Sequence, residues 1–183
     1  RTRENCERGR LIMELASKTL LERVSRERLV QDTLALVGIP SPTGDTEAVA
    51  AHYSRLLEQA GCRVRRYEWF PGSPTLYAEF GGETPGKTVV FNGHMDTIPL
   101  PHEAPCVRDG RIYGRGSNDM KGSLACFAEM IRVLRDSGAA FPGKIVLVAN
   151  SLHESPGGRG EDLYAFADEV GVAADAAIVM EGA

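Results

Sequence analysis

An imidazole and a carboxylate stand two positions apart at the end of an apolar stretch of the chain. His94 and Asp96 follow the apolar residues 89–91, a pattern that predicts a β-strand. If strand geometry continues, residues two apart face the same side, so the Asp96 carboxylate can orient the His94 imidazole or share its site. A histidine and an aspartate in a loop are also common as surface or capping groups. This pair alone leaves both interpretations open.

Three further acidic residues lie beside apolar elements. Asp119 ends a polar, glycine-rich loop and precedes an amphipathic pattern, so it either caps the coming helix or serves as a ligand on the loop. Glu154 and Glu181 each follow an apolar, strand-like run. Taken singly, such glutamates are typical solvated loop residues. Taken together, carboxylates and an imidazole beside strand ends indicate a functional cluster, because open α/β sheets build their sites there.

The elements that must position these residues alternate between strand and helix. Strands are predicted at residues 62–69, 76–80, 89–91, 145–148 and 177–180, the last as a buried strand, and helices within 11–36, 49–60, 124–134 and 163–170. Strands that are apolar on both faces and alternate with helices predict an α/β fold. We expect a mixed, mostly parallel sheet that is covered by helices on both faces.

A competing motif lies just before the His94 strand. Residues 81–88 fit the phosphate-loop pattern G-x-x-x-x-G-K-[ST], which would indicate an ATPase. A phosphate loop must open a helix, whose N-terminal amides hold the phosphate. Here an apolar strand follows at once, so the segment is predicted to be a glycine-rich turn between two strands.

Composition narrows the class of partner. The chain has 183 residues, 43% hydrophobic and 25% charged, with a formal net charge of -4. This balance predicts no nucleic acid and no membrane surface as partner, and favours a small molecule. The four cysteines form no C-x-x-C pair, which favours reduced thiols. No apolar run approaches the roughly 20 residues of a membrane-spanning helix, and we expect a cytoplasmic protein.

The order and spacing of these motifs resemble a known family. Residues 94–97, the segment 114–122, and Glu154 with the glycine pair 157–158 are similar to the zinc-dependent amidohydrolases and metallopeptidases that include aminoacylase, acetylornithine deacetylase, succinyl-diaminopimelate desuccinylase and glutamate carboxypeptidase. Residues 39–44 resemble that family's N-terminal segment. The similarity runs from about residue 29 onward.

The resemblance implies a set of ligands and roles. His94, a bridging Asp119 and Glu181 would bind one ion of a zinc pair, Asp96 would support His94, and Glu154 would be the general base. The cofactor would be Zn²⁺, one or two ions, with Co²⁺ or Mn²⁺ as alternatives. The reaction would be hydrolysis of an amide or peptide bond in a small carboxylate-bearing substrate, either an N-acyl amino acid or a peptide.

The resemblance also implies a domain plan. Residues 1–28 would form an N-terminal helical segment, and residues 29–183 the N-terminal part of the metal-binding catalytic domain. A lid domain and the C-terminal part of the catalytic domain would be absent from this chain. A homodimer through that lid domain is a further expectation.

The sequence departs from the family pattern beside Glu154. The family has two adjacent glutamates before the glycine pair, the base and then a ligand, whereas here Ser155 occupies the ligand position. Sliding the register by one would make Glu154 the ligand and place His153 at the base position. We therefore expect one ion to bind well and the second poorly, unless a donor such as His153 replaces the missing carboxylate. A metal-binding homologue without catalytic activity, or an interaction protein, is the alternative function.

Overall fold

The structure is a computed structural model that describes residues 18–138 and 142–182. Residues 18–21 are helical, and the helices that follow are α1 (Arg26–Gly38), α2 (Glu47–Ala60), α3 (Lys121–Ser137) and α4 (Glu161–Glu169). The strands are β1 (Arg63–Tyr67), β2 (Thr75–Gly81), β3 (Thr88–His94), β4 (Cys106–Arg108), β5 (Arg111–Tyr113), β6 (Lys144–Asn150) and β7 (Ala176–Val179).

Five strands form one mixed sheet in the order β1-β2-β6-β3-β7. β2 is antiparallel to both of its neighbours, β1 and β6, whereas β3 is parallel to β6 and to β7. Four of the five strands therefore point in the same direction. The two-stranded β4–β5 hairpin lies outside this sheet.

Helices cover both faces of the sheet. On one face, Leu36 of α1, Tyr53 of α2 and Leu124 of α3 pack with Leu147 of β6 in one buried cluster. On the other face, Phe166 of α4 packs against β2 and β6. Burial of apolar area from both sides is the main force that holds the layers together. The predicted α/β class, with a mixed sheet between helices, is confirmed.

The local patterns explain where individual elements begin and end. Val49, Tyr53, Leu57 and Ala60 recur at helical spacing and are all buried, so they form the inner face of α2. The helix ends at Gly61, whose φ of 114° suits glycine and whose amide donates to the Leu57 carbonyl. The helix predicted for this region is confirmed.

The segment that fits the phosphate-loop pattern joins two strands. Gly81 is the last residue of β2 and Thr88 the first of β3, and the Lys87 ammonium pairs with Asp175. No helix opens there, so the physical requirement for phosphate binding is not met. The predicted turn between strands is confirmed.

Two expectations need correction. The strand predicted at 177–180 exists as β7, but it was expected to be buried and its four residues are exposed, because β7 is the edge strand of the described sheet. The hairpin β4–β5 was missed, since no strand was predicted between residues 91 and 145. Asp109 and Gly110 join its strands with φ values of 52° and 73°, as expected for a tight Asp-Gly turn.

Some expectations concern residues outside the described part. Residues 1–17 belong to the region where N-terminal helices were predicted, and only the portion from residue 18 can be compared. α1 spans the proposed domain boundary at residue 28, and that division stays a prediction. In the described part of the chain, no helix is both long and apolar enough to cross a membrane.

Candidate metal centre

Three parallel strands end at the edge of the sheet where most of the predicted residues lie. β3 ends at His94, which pairs in register with Asn150 at the end of β6. β7 runs beside β3 in the same direction, and Glu181 follows two residues after it ends. The carboxyl ends of neighbouring parallel strands therefore bring the loops that carry Asp96, Glu154 and Glu181 to a common edge.

The His94 imidazole lies between two kinds of partner. Its Nδ1 atom is 3.0 Å from the backbone carbonyl of Asp96. Because a carbonyl oxygen only accepts, Nδ1 must carry the proton, and Nε2 has a free lone pair in the neutral ring. Nε2 is 2.9 Å from a carboxylate oxygen of Asp119 and 3.6 Å from one of Glu181. Both carboxylates that were predicted to share an ion with His94 thus lie beside its Nε2 atom.

Asp96 is a fully buried carboxylate whose contacts connect several parts of the site. Its Oδ2 atom accepts hydrogen bonds from the Thr43 hydroxyl at 2.7 Å and from the backbone amides of Glu154 at 2.9 Å and His153 at 3.1 Å. Its Oδ1 atom is 3.3 Å from Nδ1 of His94. One side chain therefore fixes both the ring on β3 and the loop after β6. This contact pattern supports the positioning role predicted for Asp96.

Electrostatics favour positive charge at this position. Burial lowers the pKa of His94, but hydrogen bonding and charge attraction from Asp96, with the charge of Glu181, outweigh it and raise the pKa from 6.5 to about 9. Burial raises the pKa of Asp96, but its bonds to His94, to the Glu154 amide and to Thr43 lower it overall. A group of carboxylates that stabilises an imidazolium in this way also suits a bound cation.

Glu154 reaches the same space from the loop after β6. One carboxylate oxygen of Glu154, one of Asp119 and a ring nitrogen of His94 all lie within 4.8 Å of one another. Burial, with the negative charge of Asp119, raises the pKa of Glu154 above its ordinary value. A half-buried carboxylate with a raised pKa is a better proton acceptor than an ordinary surface glutamate.

Asp119 does not cap the helix that follows it. The N-cap residue of α3 is Met120, without a side-chain cap, and the Asp119 carboxylate contacts His94 instead. The Met120 side chain is fully buried, and its sulfur accepts a hydrogen bond from the His94 amide at 3.1 Å. The peptide bond between Asp119 and Met120 is cis. Of the two interpretations left open by the sequence, the structure agrees with a loop carboxylate directed at His94.

Two glycines allow the loops to approach the site closely. A Cβ atom on Gly158 would lie 2.3 Å from the backbone of Leu152, so only glycine permits the tight loop that carries Glu154. A Cβ atom on Gly182 would lie 2.5 Å from the Asn118 carbonyl. Gly182 thereby allows the segment with Glu181 to lie against the segment with Asp119.

Two neighbours of the site make contacts that the sequence did not predict. The Thr43 hydroxyl bonds to Asp96, and its only sequence signal was its place in the segment 39–44. The His153 ring stacks on the His94 ring, and it had been considered only as a substitute base or donor. Long-range packing creates both contacts, which is why residue spacing does not indicate them.

The donor set fits a divalent ion of the zinc type. Zn²⁺ binds imidazole nitrogens and carboxylate oxygens, and catalytic sites keep a position open beside three protein ligands. His94, Asp119 and Glu181 supply these atom types, with His94 buried and both carboxylates partly open to solvent. The second nitrogen of His94 bonds to Asp96, as ligating histidines usually do with an acceptor.

Comparison with known proteins identifies the class to which this fold and site belong. Residues 90–183 match the family model described as Peptidase family M20/M25/M40. The chain belongs to this family.

Individual relatives agree with that assignment. Succinyl-diaminopimelate desuccinylase of Methylobacterium radiotolerans is 34% identical over 145 residues, which cover 73% of this chain and 36% of the relative. The Rickettsia akari enzyme of the same name is 30% identical over 160 residues, which cover 80% of this chain and 42% of the relative. The dipeptidase Dug1p of Saccharomyces cerevisiae superposes with a TM-score of 0.74 at 19% sequence identity and has the same fold. The superposition covers 88% of this chain and 40% of Dug1p. The chain spans about two fifths of the length of these proteins.

Proposed function

We propose that the complete protein is a metal-dependent hydrolase that cleaves an amide or peptide bond in a small, carboxylate-bearing substrate. The observation that carries this proposal is the position of His94 Nε2, which lies 2.9 Å from Asp119 and 3.6 Å from Glu181 while Glu154 shares the same space. Membership of Peptidase family M20/M25/M40 supports it.

In this proposal His94, Asp119 and Glu181 hold a Zn²⁺ ion, with Co²⁺ or Mn²⁺ as alternatives. When bound, the ion supplies Lewis acidity toward a carbonyl oxygen and a water molecule. Asp96 keeps the His94 proton on Nδ1 and directs Nε2 into the site. Glu154 takes a proton from the attacking water at its carboxylate and passes it to the departing amine nitrogen. Its raised pKa suits both transfers.

The names of the relatives and the chemistry of the site support one class of substrate. The desuccinylases are named for succinyl-diaminopimelate, and Dug1p is described as a dipeptidase. We therefore propose an N-acyl amino acid or a short peptide as substrate. Cytoplasmic location, the division at residue 28, and a lid domain that would form a homodimer belong to the same proposal.

Hydrolysis assays with metal removal test the proposal. The purified protein is incubated with N-succinyl and N-acetyl amino acids and with dipeptides, and release of the free amine is measured. We expect activity on at least one substrate class, its loss after treatment with a chelator, and its return when Zn²⁺ is added. Hydrolysis that a chelator does not affect would contradict the proposal. Metal binding without hydrolysis of any of these substrates would favour the catalytically inactive homologue instead.

A further inference from the structure

The His153 ring lies directly against the ring of His94. The two ring centroids are 4.3 Å apart and the planes are inclined by only 15°. The backbone of His153 is held in place because its amide donates to Asp96, at 3.1 Å from Oδ2. The side chain itself is exposed to solvent, whereas the ring of His94 is buried. An imidazole is thus fixed beside the proposed ligand set with its outer edge accessible.

The nitrogen of this second ring is close to other donors. One nitrogen of His153, one of His94 and a carboxylate oxygen of Glu181 lie within 4.8 Å of one another. Ligand atoms on one tetrahedral zinc ion are about 3.4 Å apart, given bonds of about 2.1 Å. His153 is therefore within reach of a cation at this site.

The stacked arrangement decides which ion His153 would reach. An imidazole binds a metal along its nitrogen lone pair, so the ion lies near the plane of the ring that holds it. Two nearly parallel rings, 4.3 Å apart between centroids, keep their lone pairs in separate and nearly parallel planes. They are poorly arranged to share one ion. They are well arranged to hold two neighbouring ions, since two-metal sites have a separation of about 3.5–4 Å.

We propose that His153 is a metal ligand of this chain, which binds a second divalent ion beside the one held by His94. The proposal rests on the proposed function, because it takes the site of His94, Asp119 and Glu181 as the first metal site. His153 would supply the donor that the neutral hydroxyl of Ser155 does not offer. Glu181 lies in one donor group with both imidazoles, and its two oxygens can face both ions.

Titration with Co²⁺ tests this assignment without an activity assay. The purified protein is stripped of metal with a chelator, dialysed and titrated with Co²⁺ alone. Visible absorption follows binding, and elemental analysis counts the retained ions. We expect about two ions per chain for the wild type and about one for His153→Ala. His153→Asp, which returns an oxygen donor, should recover the second ion with weaker affinity. His94→Ala should lose the first ion.

The control and the contrary outcomes separate this inference from the proposed function. His52→Ala, on α2, removes a histidine that belongs to neither donor group and should retain two ions. Two ions in His153→Ala would overturn the assignment of His153. A single ion in the wild type, unaffected by His153→Ala but lost in His94→Ala, would overturn it and leave the proposed function standing. A wild type that binds no Co²⁺ would overturn the proposed function itself.

Discussion

The carboxylate of Asp96 lies 3.3 Å from Nδ1 of His94, and both side chains are buried. Asp96 makes three further hydrogen bonds through its other oxygen, to Thr43 and to the amides of His153 and Glu154. In an asparagine at this position, the carbonyl oxygen would stay where the three donors are, at the place of Oδ2. The amide nitrogen would then take the place of Oδ1, the oxygen that faces His94. This geometry makes Asp96 the residue on which the orientation and basicity of His94 most depend.

Asp96→Asn should weaken metal binding while the protein remains folded. The amide nitrogen would replace Oδ1 and remove the negative charge beside Nδ1, so His94 becomes a weaker ligand. We expect Zn²⁺ affinity to fall by about 10–100-fold, as is typical when such supporting carboxylates are lost. Competition with a chromophoric chelator measures it. Asp45→Asn, at an exposed loop position, is the matched control. Unchanged affinity in Asp96→Asn would show that the backbone carbonyl of Asp96 alone orients His94.

Glu154→Gln should abolish most turnover and leave metal binding in place. An amide cannot accept the water proton, so kcat should fall by about 10²–10⁴-fold if Glu154 is the general base. Release of amine from the best substrate measures it, with Glu58→Gln on the exposed side of α2 as control. A loss of bound metal in Glu154→Gln would instead identify Glu154 as a ligand. Near-normal turnover would transfer the base role, with His153 as the first candidate.

Local patterns in the sequence predicted individual elements well. The spacing of three or four residues between apolar side chains and the glycine at position 61 were enough to place α2, because helix period and helix termination are local properties. The Asp109-Gly110 turn is also a local signal, and the short β4–β5 hairpin beside it was missed because that signal was not used. Strand order and the exposure of β7 depend on which strands pair across the chain, and no local pattern contains that information.

In the candidate site too, features with a local sequence signal were predicted, and features that depend on long-range packing were not. Residues at strand ends, such as His94, were recognisable because parallel strands place their carboxyl ends at one edge. Contacts that depend on long-range packing were not recognisable. The Thr43 hydroxyl reaches Asp96 across 53 positions of sequence, and the His153 ring stacks on His94 from the loop after β6. Such contacts appear only when the sheet order is known.

Glu129→Gln should lower the free energy of unfolding at neutral pH and make it less dependent on pH. Glu129 on α3 is buried, and Arg28 of α1 donates to both of its oxygens at 2.8 and 2.6 Å. Burial raises the pKa of Glu129, but the bonds from Arg28 and from the Ser25 amide lower it below 4.5 overall. The unfolded chain therefore takes up this proton at a higher pH than the folded protein does. The stabilisation is present above about pH 4.5 and is lost as pH falls through the folded pKa.

Urea unfolding at pH 7, 5 and 3.5 measures this contribution. At pH 7 we expect the variant to be less stable by about 1.5–3 kcal/mol, the usual range for hydrogen bonds to a charged group. The difference from the wild type should shrink toward pH 3.5. Glu27→Gln, at an exposed position of α1, should unfold at the wild-type urea concentration at pH 7. A difference that stays constant with pH would show that Glu129 acts through packing and not through its charge.

Asp162 holds the start of the loop that carries Glu154. It is fully buried at the first turn of α4, and its Oδ2 atom accepts from the Ser151 amide at 2.6 Å and the Thr75 hydroxyl at 2.8 Å. Oδ1 is buried and has no hydrogen-bond partner among the described residues. Both good bonds therefore use one oxygen. The carbonyl oxygen of an asparagine can replace that oxygen, whereas alanine offers no acceptor.

Asp162→Ala should accordingly destabilise the protein by about 1–3 kcal/mol, because two buried donors lose their acceptor. It should also lower kcat more than it raises KM, since the loop moves Glu154 but the substrate contacts remain. Asp162→Asn should recover most of both losses. Urea unfolding and steady-state kinetics on the same preparations measure the two effects, and Asp168→Ala, at an exposed position of α4, is the control. If Asp162→Asn is as impaired as Asp162→Ala, the charge of Asp162 and not its acceptor oxygen holds the loop.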